Sequence, residues 1–473
     1  MAAVALTAGT APRHSRDIPG GGSVMRGSSR VKIAALVGAL VAAFATFVGA
    51  CGGGDDSGGG GSNGSVRGQT ITYWASNQGA SIDQDKQVLS KAIAEFTKQT
   101  GVKVNFKVIP WPDLFTNITT AVTSGKGPDV LNIGNTWSAT LQSTGAFLPF
   151  EGDPLNTVGG KDKFLSTSWA ASGAPGKTPT SVPLYGLSYG LFYNKALFKQ
   201  AGIAAPPKTW SEFVADAKKL TKPDQGQFGV ALEGASITEN AHWAFILSRQ
   251  NGGHLFEGSK PTFDSPQNVK AVKQYVDLWG DQKVASPSSA QYSDGTQALA
   301  QFAKGKAGMT MWQNNAQNNL KAGGMKTSEY EVADVPVTDG SSTPIMTHVA
   351  GINVSVFQNS GHKDAALAFV KFLTSPAQQV SLNTQFGSLP VVKEAQNDQA
   401  FDTPNLKTFN RILAEHAEPM PLINEEGQME TFIGDALKQL ISRAATKGSV
   451  SEAEVKSALT AANQKMAAAS GGG

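Results

Sequence analysis

One cysteine, Cys51, stands in 473 residues. That excludes an intramolecular disulfide, and no histidine flanks Cys51 at metal-ligand spacing. The six histidines, at 14, 242, 254, 348, 362 and 416, are too dispersed to form a metal motif. Long apolar runs are scarce as well: "IAALVGALVAAFATFVGA", Ile33 to Ala50, is the one that stands out, and it ends at Cys51. An excess of one charge is also missing. The formal +3 comes from the first fifty residues, where Arg13, Arg16, Arg26, Arg30 and Lys32 meet one acid, Asp17, and the remainder carries 35 bases against 36 acids. Such a body has no field to draw it to nucleic acid. "GGHLFEGSK" lacks the Lys-Ser/Thr pair of a phosphate-binding loop, so no cofactor and no metal are expected.

What is present begins with the apolar run. Arg26, Arg30 and Lys32 ahead of it complete the basic and apolar regions of an export signal, with Met25 as the expected start. "FVGAC" resembles a bacterial lipobox, in which the signal is cut before a cysteine that then carries lipid. Residues 1–50 are read as signal and 51–69 as lipidated cysteine and tether. The Gly/Ser coil of that tether spans about 20 Å. The body would then sit outside the cytoplasm, on the outer face of the cell membrane. A retained anchor helix is the alternative, since the run approaches spanning length.

Beyond the tether about 420 residues remain, enough for two domains of roughly 200. "TITYW" (70 to 74) reads as a strand, and apolar residues from Val88 to Phe96 follow helical spacing up to Gly101. "VKVNFKVI" alternates as a strand, a helix follows Pro112, and "PDVLNI" is a further strand. The same alternation resumes through "VPLYGLSYGLFYNK", "QFGVALE", "AGMTMW" and "AGINVSVF". Thr209 with Glu212 and Ser451 with Glu454 have capping-box spacing. Alternation of this kind implies α/β lobes with mostly parallel sheets flanked by helices.

Two motifs bear on chemistry. "GLSYG", Gly186 to Gly190, matches the elbow that exposes a nucleophilic serine, but "LFYNK" after it is strand-like where a helix is needed. Tryptophan is more informative. Trp74, Trp137, Trp243 and Trp312 are read at strand ends or in loops, the edge that faces a ligand crevice in open α/β sheets. Amides and hydroxyls accompany them, including Asn77, Asn135, Gln313 and Asn314. Aromatic faces suit the C–H face of a sugar ring, and amides suit its hydroxyls. For each tryptophan, core packing and ligand contact both stay open.

"LFYNKALFKQAGIAAPPKTWSEF" (191 to 213) resembles the sugar-binding family of bacterial ABC-importer solute-binding proteins. So do "GPDVLNIGNTW", "FAKGKAGMTMW", "AGINVSVFQNSGHKDAALAFVKFLTSPAQQ" and "GSLPV", in the family's order. The resemblance, from about Thr70 to Met466, implies two lobes joined by three hinge crossings near Leu184, Thr347 and Thr384. It divides the chain into 70–184 plus 347–384, 185–346 plus 385–467, and a disordered tail, 468–473. It places the ligand on Trp74, Asn77, Asn135, Trp137, Tyr185, Ser188, Tyr189, Trp243, Trp312, Gln313, Asn314 and Gly351. Two positions depart from the family: Gly186 to Tyr189 lack an acid, and Gln428, Met429 and Phe432 stand where a tryptophan is common. The implied function is capture of a neutral sugar or short oligosaccharide by a monomer that delivers it to a membrane permease, without catalysis. Site loops poor in acids and bases speak against amine and phosphate ligands. The rival is a secreted glycosidase or esterase using Ser188 or a carboxylate pair. Cys51→Ala is expected to abolish lipid labelling, and mass spectrometry of the mature protein to find no peptide ahead of residue 51. Recovery of residues 1–24 on the exported protein would refute that reading.

Overall fold

The computed structural model describes residues 66–471, so Cys51, the signal and most of the tether lie outside the described residues. Helix ends follow local rules. The helix Ile82–Thr100 begins at Ser81, whose side chain accepts from Gln84 N, and stops at Gly101, where φ is 76° and only glycine is free of strain. Both capping boxes form, on the helices Trp210–Leu220 and Glu452–Ser470. The second helix corrects the expected disordered tail at residues 468–470: Ala467 to Ala469 are strong helix formers, and buried Met466 anchors their turn.

In chain order the strands are β1 (Thr70–Ser76), β2 (Lys103–Ile109), β3 (Val130–Gly134), β4 (Val182–Leu187), β5 (Tyr189–Asn194), β6 (Phe228–Val230), β7 (Phe256–Glu257), β8 (Lys260–Pro261), β9 (Ala307–Gln313), β10 (Tyr330–Ala333), β11 (Thr347–His348), β12 (Ala350–Val356) and β13 (Ala417–Glu418). The first lobe has the sheet β2-β1-β3-β12-β4, and the second has β10-β5-β9-β6. β1 is parallel to β2 and β3, while β12 opposes β3 and β4. In the second sheet β6 is parallel to β9, and β5 opposes β9 and β10. Each sheet therefore contains one reversed strand. In each it is the strand that the chain enters directly from the other lobe. Such a strand starts at the lobe boundary and runs away from it, whereas its neighbours run towards it. The C-terminal ends of the like-directed strands thus meet the starts of β5 and β12 at that boundary.

Both sheets are covered on two faces. In the first lobe Ile71, Tyr73, Phe96 and Phe369 pack on one face and Leu114, Ile118 and Ile133 on the other. In the second, Leu191, Met309 and Met311 pack under the helices Ile237–Gln250 and Glu426–Lys447, and Phe192, Phe302 and Tyr330 fill the opposite side. This is the two-lobed α/β architecture that the alternation implied.

The crossings differ in detail from those expected. The first falls at Ser188, between β4 and β5, and the second at Val349, between β11 and β12. The third lies well beyond Thr384, which is inside the helix Pro376–Phe386. Leu389 then exchanges backbone hydrogen bonds with Gly186 of β4, and Val391 and Val392 are buried in the first-lobe core. The second lobe is reached with the helix Pro404–Glu415, packed on β5 and β10. The short apolar run after Gly387 docks through single bridges, a mode that periodicity does not reveal.

The helices Ile237–Gln250 and Glu426–Lys447 touch through Gly434, where an added Cβ would lie 2.2 Å from the Ile237 carbonyl oxygen. Overpacking of this kind costs about 1 to 3 kcal/mol. Gly434→Ala should lower the urea midpoint accordingly with an unchanged slope. An unchanged midpoint would mean that the helix pair yields freely.

Candidate functional site

From the first lobe, β3 feeds the short 3-10 turn Asn135–Trp137. Asn135 Nδ2 donates to Val349 O at 2.8 Å, which fastens the turn to the second crossing. The Trp137 ring lies over Gly134 and beside Trp111 and Phe115, with centroids 5.7 and 5.0 Å away. Its Nε1 donates to Glu430 Oε2 at 2.8 Å, a bond from one lobe to the other. Gly427 N adds a second such bond, to Thr140 Oγ1 at 2.9 Å.

Glu430 opens into an ionic chain within the second lobe. It and Glu426 lie one turn apart at the start of the helix Glu426–Lys447, both buried. Oε1 of Glu430 is 3.4 Å from His242 Nε2, and His242 Nδ1 is 3.7 Å from Glu239 Oε1. The Tyr189 hydroxyl lies 3.0 Å from that Nδ1 and donates to Glu239. The rings of His242 and His348 are 4.0 Å apart, tilted by 37°. Burial by itself would strip the proton from His242, but Glu239 and Glu430 outweigh it and raise its pKa to about 9. Burial likewise opposes the charge on Glu430, and the imidazolium overcomes it, holding that carboxyl below its ordinary range. His348, buried and next to a cation, is held well below the usual imidazole range and stays neutral. Glu426 and Glu233 have no such partner, and burial pushes both well above the carboxylate range.

Of the residues singled out in the sequence, Asn135, Trp137, Tyr189 and Gln313 come together here, Gln313 opposite Tyr189 in the ladder of β5 and β9. Others serve the scaffold. Trp243, expected in a loop, sits on the helix Ile237–Gln250, buried and edge-on to Tyr189 at 5.0 Å. Trp74 is not at a strand end, because β1 continues to Ser76; it packs on the face that holds Leu114, with Lys107 Nζ 3.8 Å from its ring centroid. Trp312 is half-buried against Gly295, where a Cβ would strike the ring. Asn77 spends its amide on Gly79 O and on Asp85, the buried carboxylate that also receives Gln78 N and Gly79 N. Asn314 clamps two segments, accepting from Ser188 N at 2.7 Å and donating to Gly387 O at 2.7 Å. Tyr185 is buried edge-on to Phe386. Gly351 allows β12 to approach β4, since its Cβ would be 2.8 Å from Tyr185 O. Ser188 is buried between two strands, so the strand, turn and helix of a nucleophile elbow are not formed, and its Oγ donates to Tyr189 O at 3.4 Å.

Sequence reasoning missed Glu233, Glu239, His242, Glu426 and Glu430. The expectation of few acids concerned the site loops; Glu239, His242, Glu426 and Glu430 come instead from two helices remote in the chain, and Glu233 from the segment that follows β6. The available signal was ionisable residues on otherwise apolar faces: Glu239 and His242 precede "WAFIL", and Glu430 lies between Met429 and Ile433.

A folded pKa of about 9 against an ordinary 6.5 means that the ion pairs of His242 stabilise the fold fully below pH 6.5 and lose that contribution as pH rises through about 9. His242→Gln should flatten the fall of the thermal midpoint across that window. A mutant curve parallel to the wild type would exclude the ion pairs as its cause.

Comparison with known proteins agrees with this architecture. The model of the bacterial extracellular solute-binding protein family matches residues 79–380. A binding protein of Brucella abortus is 27% identical over 379 residues, 80% of this chain and 88% of that one. The diacetylchitobiose binding protein DasA of Streptomyces coelicolor is 26% identical over 377 residues, 78% of this chain and 83% of its own. Among solved structures, an ABC transporter solute-binding protein of Thermotoga lettingae bound with α-D-tagatose has a TM-score of 0.75 at 23% identity, covering 84% of this chain and 100% of that one. The two lobes, their crossings and the matched segment make this chain a member of the bacterial extracellular solute-binding protein family.

Proposed function

We propose that this protein captures a sugar or short oligosaccharide between its lobes, outside the cytoplasm, and hands it to the membrane permease of an ABC importer. Lipid on Cys51 would keep it near that permease. The observation that carries the reading is the bond from Trp137 to Glu430, which sets the aromatic group of one lobe against a carboxylate of the other. A sugar ring needs that pairing, an aromatic surface for its C–H face and charged or amide acceptors for its hydroxyls. Relatives named for diacetylchitobiose and maltotriose support the same class of ligand. Three crossings permit a hinge, and ligand held by both lobes favours the closed arrangement that a permease can distinguish. The scheme requires no catalysis, and Ser188, enclosed between strands with its backbone N–H held by Asn314 Oδ1, is not presented as a nucleophile.

A thermal-shift screen over mono- and oligosaccharides finds the ligand, since a hundredfold excess over the dissociation constant stabilises by about 2.7 kcal/mol. With the best sugar, Trp137→Ala should weaken binding by about 1 to 3 kcal/mol, the scale of a lost aromatic anchor, in a variant that still unfolds cooperatively. Unchanged affinity would move the site away from the lobe boundary. Steady hydrolysis of a bound glycoside would replace the transport reading with an enzymatic one.

A further inference from the structure

The loop that leaves β1 is gathered on one buried carboxylate. Residues 77–79 follow the C-terminal end of β1, which points to the lobe boundary. Asp85, in the first turn of the helix Ile82–Thr100, is fully buried and accepts from all three of them. Its donors are Asn77 Nδ2, Gln78 N at 3.1 Å and Gly79 N at 2.6 Å. Gly79 makes the approach possible, since a Cβ there would lie 2.8 Å from Asp85 Oδ1. The helix does not need this carboxylate to start: Ser81 Oγ already caps Gln84 N, and Gln84 Oε1 takes Ala80 N. What Asp85 orders is the loop.

The loop in turn holds an aromatic pair. Asn77 O accepts from Trp111 Nε1 at 2.7 Å, and Asn77 N continues the strand pairing by donating to Ile109 O. Trp111 opens the helix Trp111–Ser124, and its ring stands edge-on to Trp137 at 5.7 Å. Phe115, one turn further on, lies 5.0 Å from the same indole. Trp137 then donates to Glu430 of the second lobe. Contacts therefore run unbroken from Asp85 through residues 77–79 and Trp111 to the aromatic surface assigned to the ligand. Resting on the sugar reading above, we propose that Asp85 is a positioning residue of the site, which sets the Trp137 ring by holding the loop on which Trp111 hangs.

The arrangement needs the carboxylate ionised. All three groups that face it are donors, so an added O–H finds no acceptor among them and displaces at least one. Burial raises the Asp85 carboxyl to about 6, against the pull of its three hydrogen bonds. The titratable groups that face it from the sheet, Tyr73 of β1 and Tyr185 of β4, are buried and held neutral. On its own helix Asp83 and Lys86 pair with each other at the surface, and Asp113 of the helix Trp111–Ser124 is exposed. With the folded value raised, the contribution of this group to stability is fully present below its ordinary 3.8 and is lost as pH rises through about 6. Acidification through that window thus favours the fold while it releases the loop. A merely structural role would not separate the two.

The test uses the protein labelled with 5-fluorotryptophan, its fluorine resonances assigned through Trp111→Phe and Trp137→Phe, and calorimetric titration with maltotriose and N,N′-diacetylchitobiose. From pH 7.5 to pH 5 the Trp111 and Trp137 resonances should move together with a midpoint near 6, while those of Trp210 and Trp279 in the second-lobe core stay in place. Affinity for the sugar that binds should fall about tenfold over the same range, as a site that requires the ionised form loses it one pH unit below the midpoint. Asp85→Asn should bind about tenfold more weakly at pH 7.5 and abolish both pH dependences, with its thermal midpoint reporting that it folds. Should it not fold, Gly79→Ala lifts the loop from an intact carboxylate, and it should shift both resonances and weaken binding at pH 7.5. A Trp137 resonance that stays in place in these variants, or an affinity that is flat with pH while a sugar binds, overturns the role of Asp85 and leaves the sugar reading standing. Failure of both sugars to bind, whatever the resonances do, overturns the sugar reading and the positioning role with it.

Discussion

The charge on His242 is the constraint on which the lobe boundary depends. Its ring is buried, and burial alone would discharge it, so the imidazolium exists only because Glu239 and Glu430 stand on either side. Glu430 in turn remains ionised because of His242, and it is this carboxylate that receives the indole of Trp137 from the other lobe. Each member of the chain is costly to bury alone and tolerable in the company of the others. Removing one partner from such a buried set leaves an uncompensated charge, typically a loss of about 3 to 5 kcal/mol. The boundary is therefore specified by mutual neutralisation rather than by shape alone. Tyr189 extends it to the first crossing and His348 to the second, so the same charge lies next to two hinge strands.

Backbone topology decides why these groups meet at all. The strands that enter each sheet from the other lobe run against their neighbours, and every remaining strand points its C-terminal end towards the shared boundary. Those ends and the segments that leave them deliver Asn135 and Trp137 from one side, and Glu233 and the last residue of β9, Gln313, from the other. Glycine sets the closeness of the approach. Gly351 brings β12 onto β4, and Gly427 leaves space for the Phe115 ring of the first lobe, where a Cβ would be 2.7 Å away. Asn314 then ties Ser188 to Gly387, and joins the first crossing to the segment that follows the helix Pro376–Phe386. A hinge built this way is free to rotate only where side chains do not clamp it, and the clamps sit close to the site.

Much of the fold was legible in the chain because its causes are local. Ser81, Thr209 and Ser451 cap helices through side chains three residues from their partners, and Gly101 ends a helix by its own backbone freedom. The site was legible in part. Asn135 and Trp137 are legible as boundary residues because they follow a recognisable strand, whereas Trp243, expected in a loop, lies on an apolar helix and its indole belongs to the core. Trp74 was misplaced by two residues of strand, enough to set it mid-sheet under Lys107 rather than at the edge.

The sequence by itself determined the alternation of strands and helices, the caps that bound them, and the ordered segments that identify the family, because each depends on neighbours within a few residues. Only the tertiary structure decided which ionisable groups form the site. Glu239 and His242 lie nearly two hundred positions before Glu426 and Glu430 in the chain. Whether a carboxylate is charged, neutral or left without a partner is fixed by burial and by the groups around it, and those are set by how distant helices pack. Periodicity and composition carry no information about that pairing.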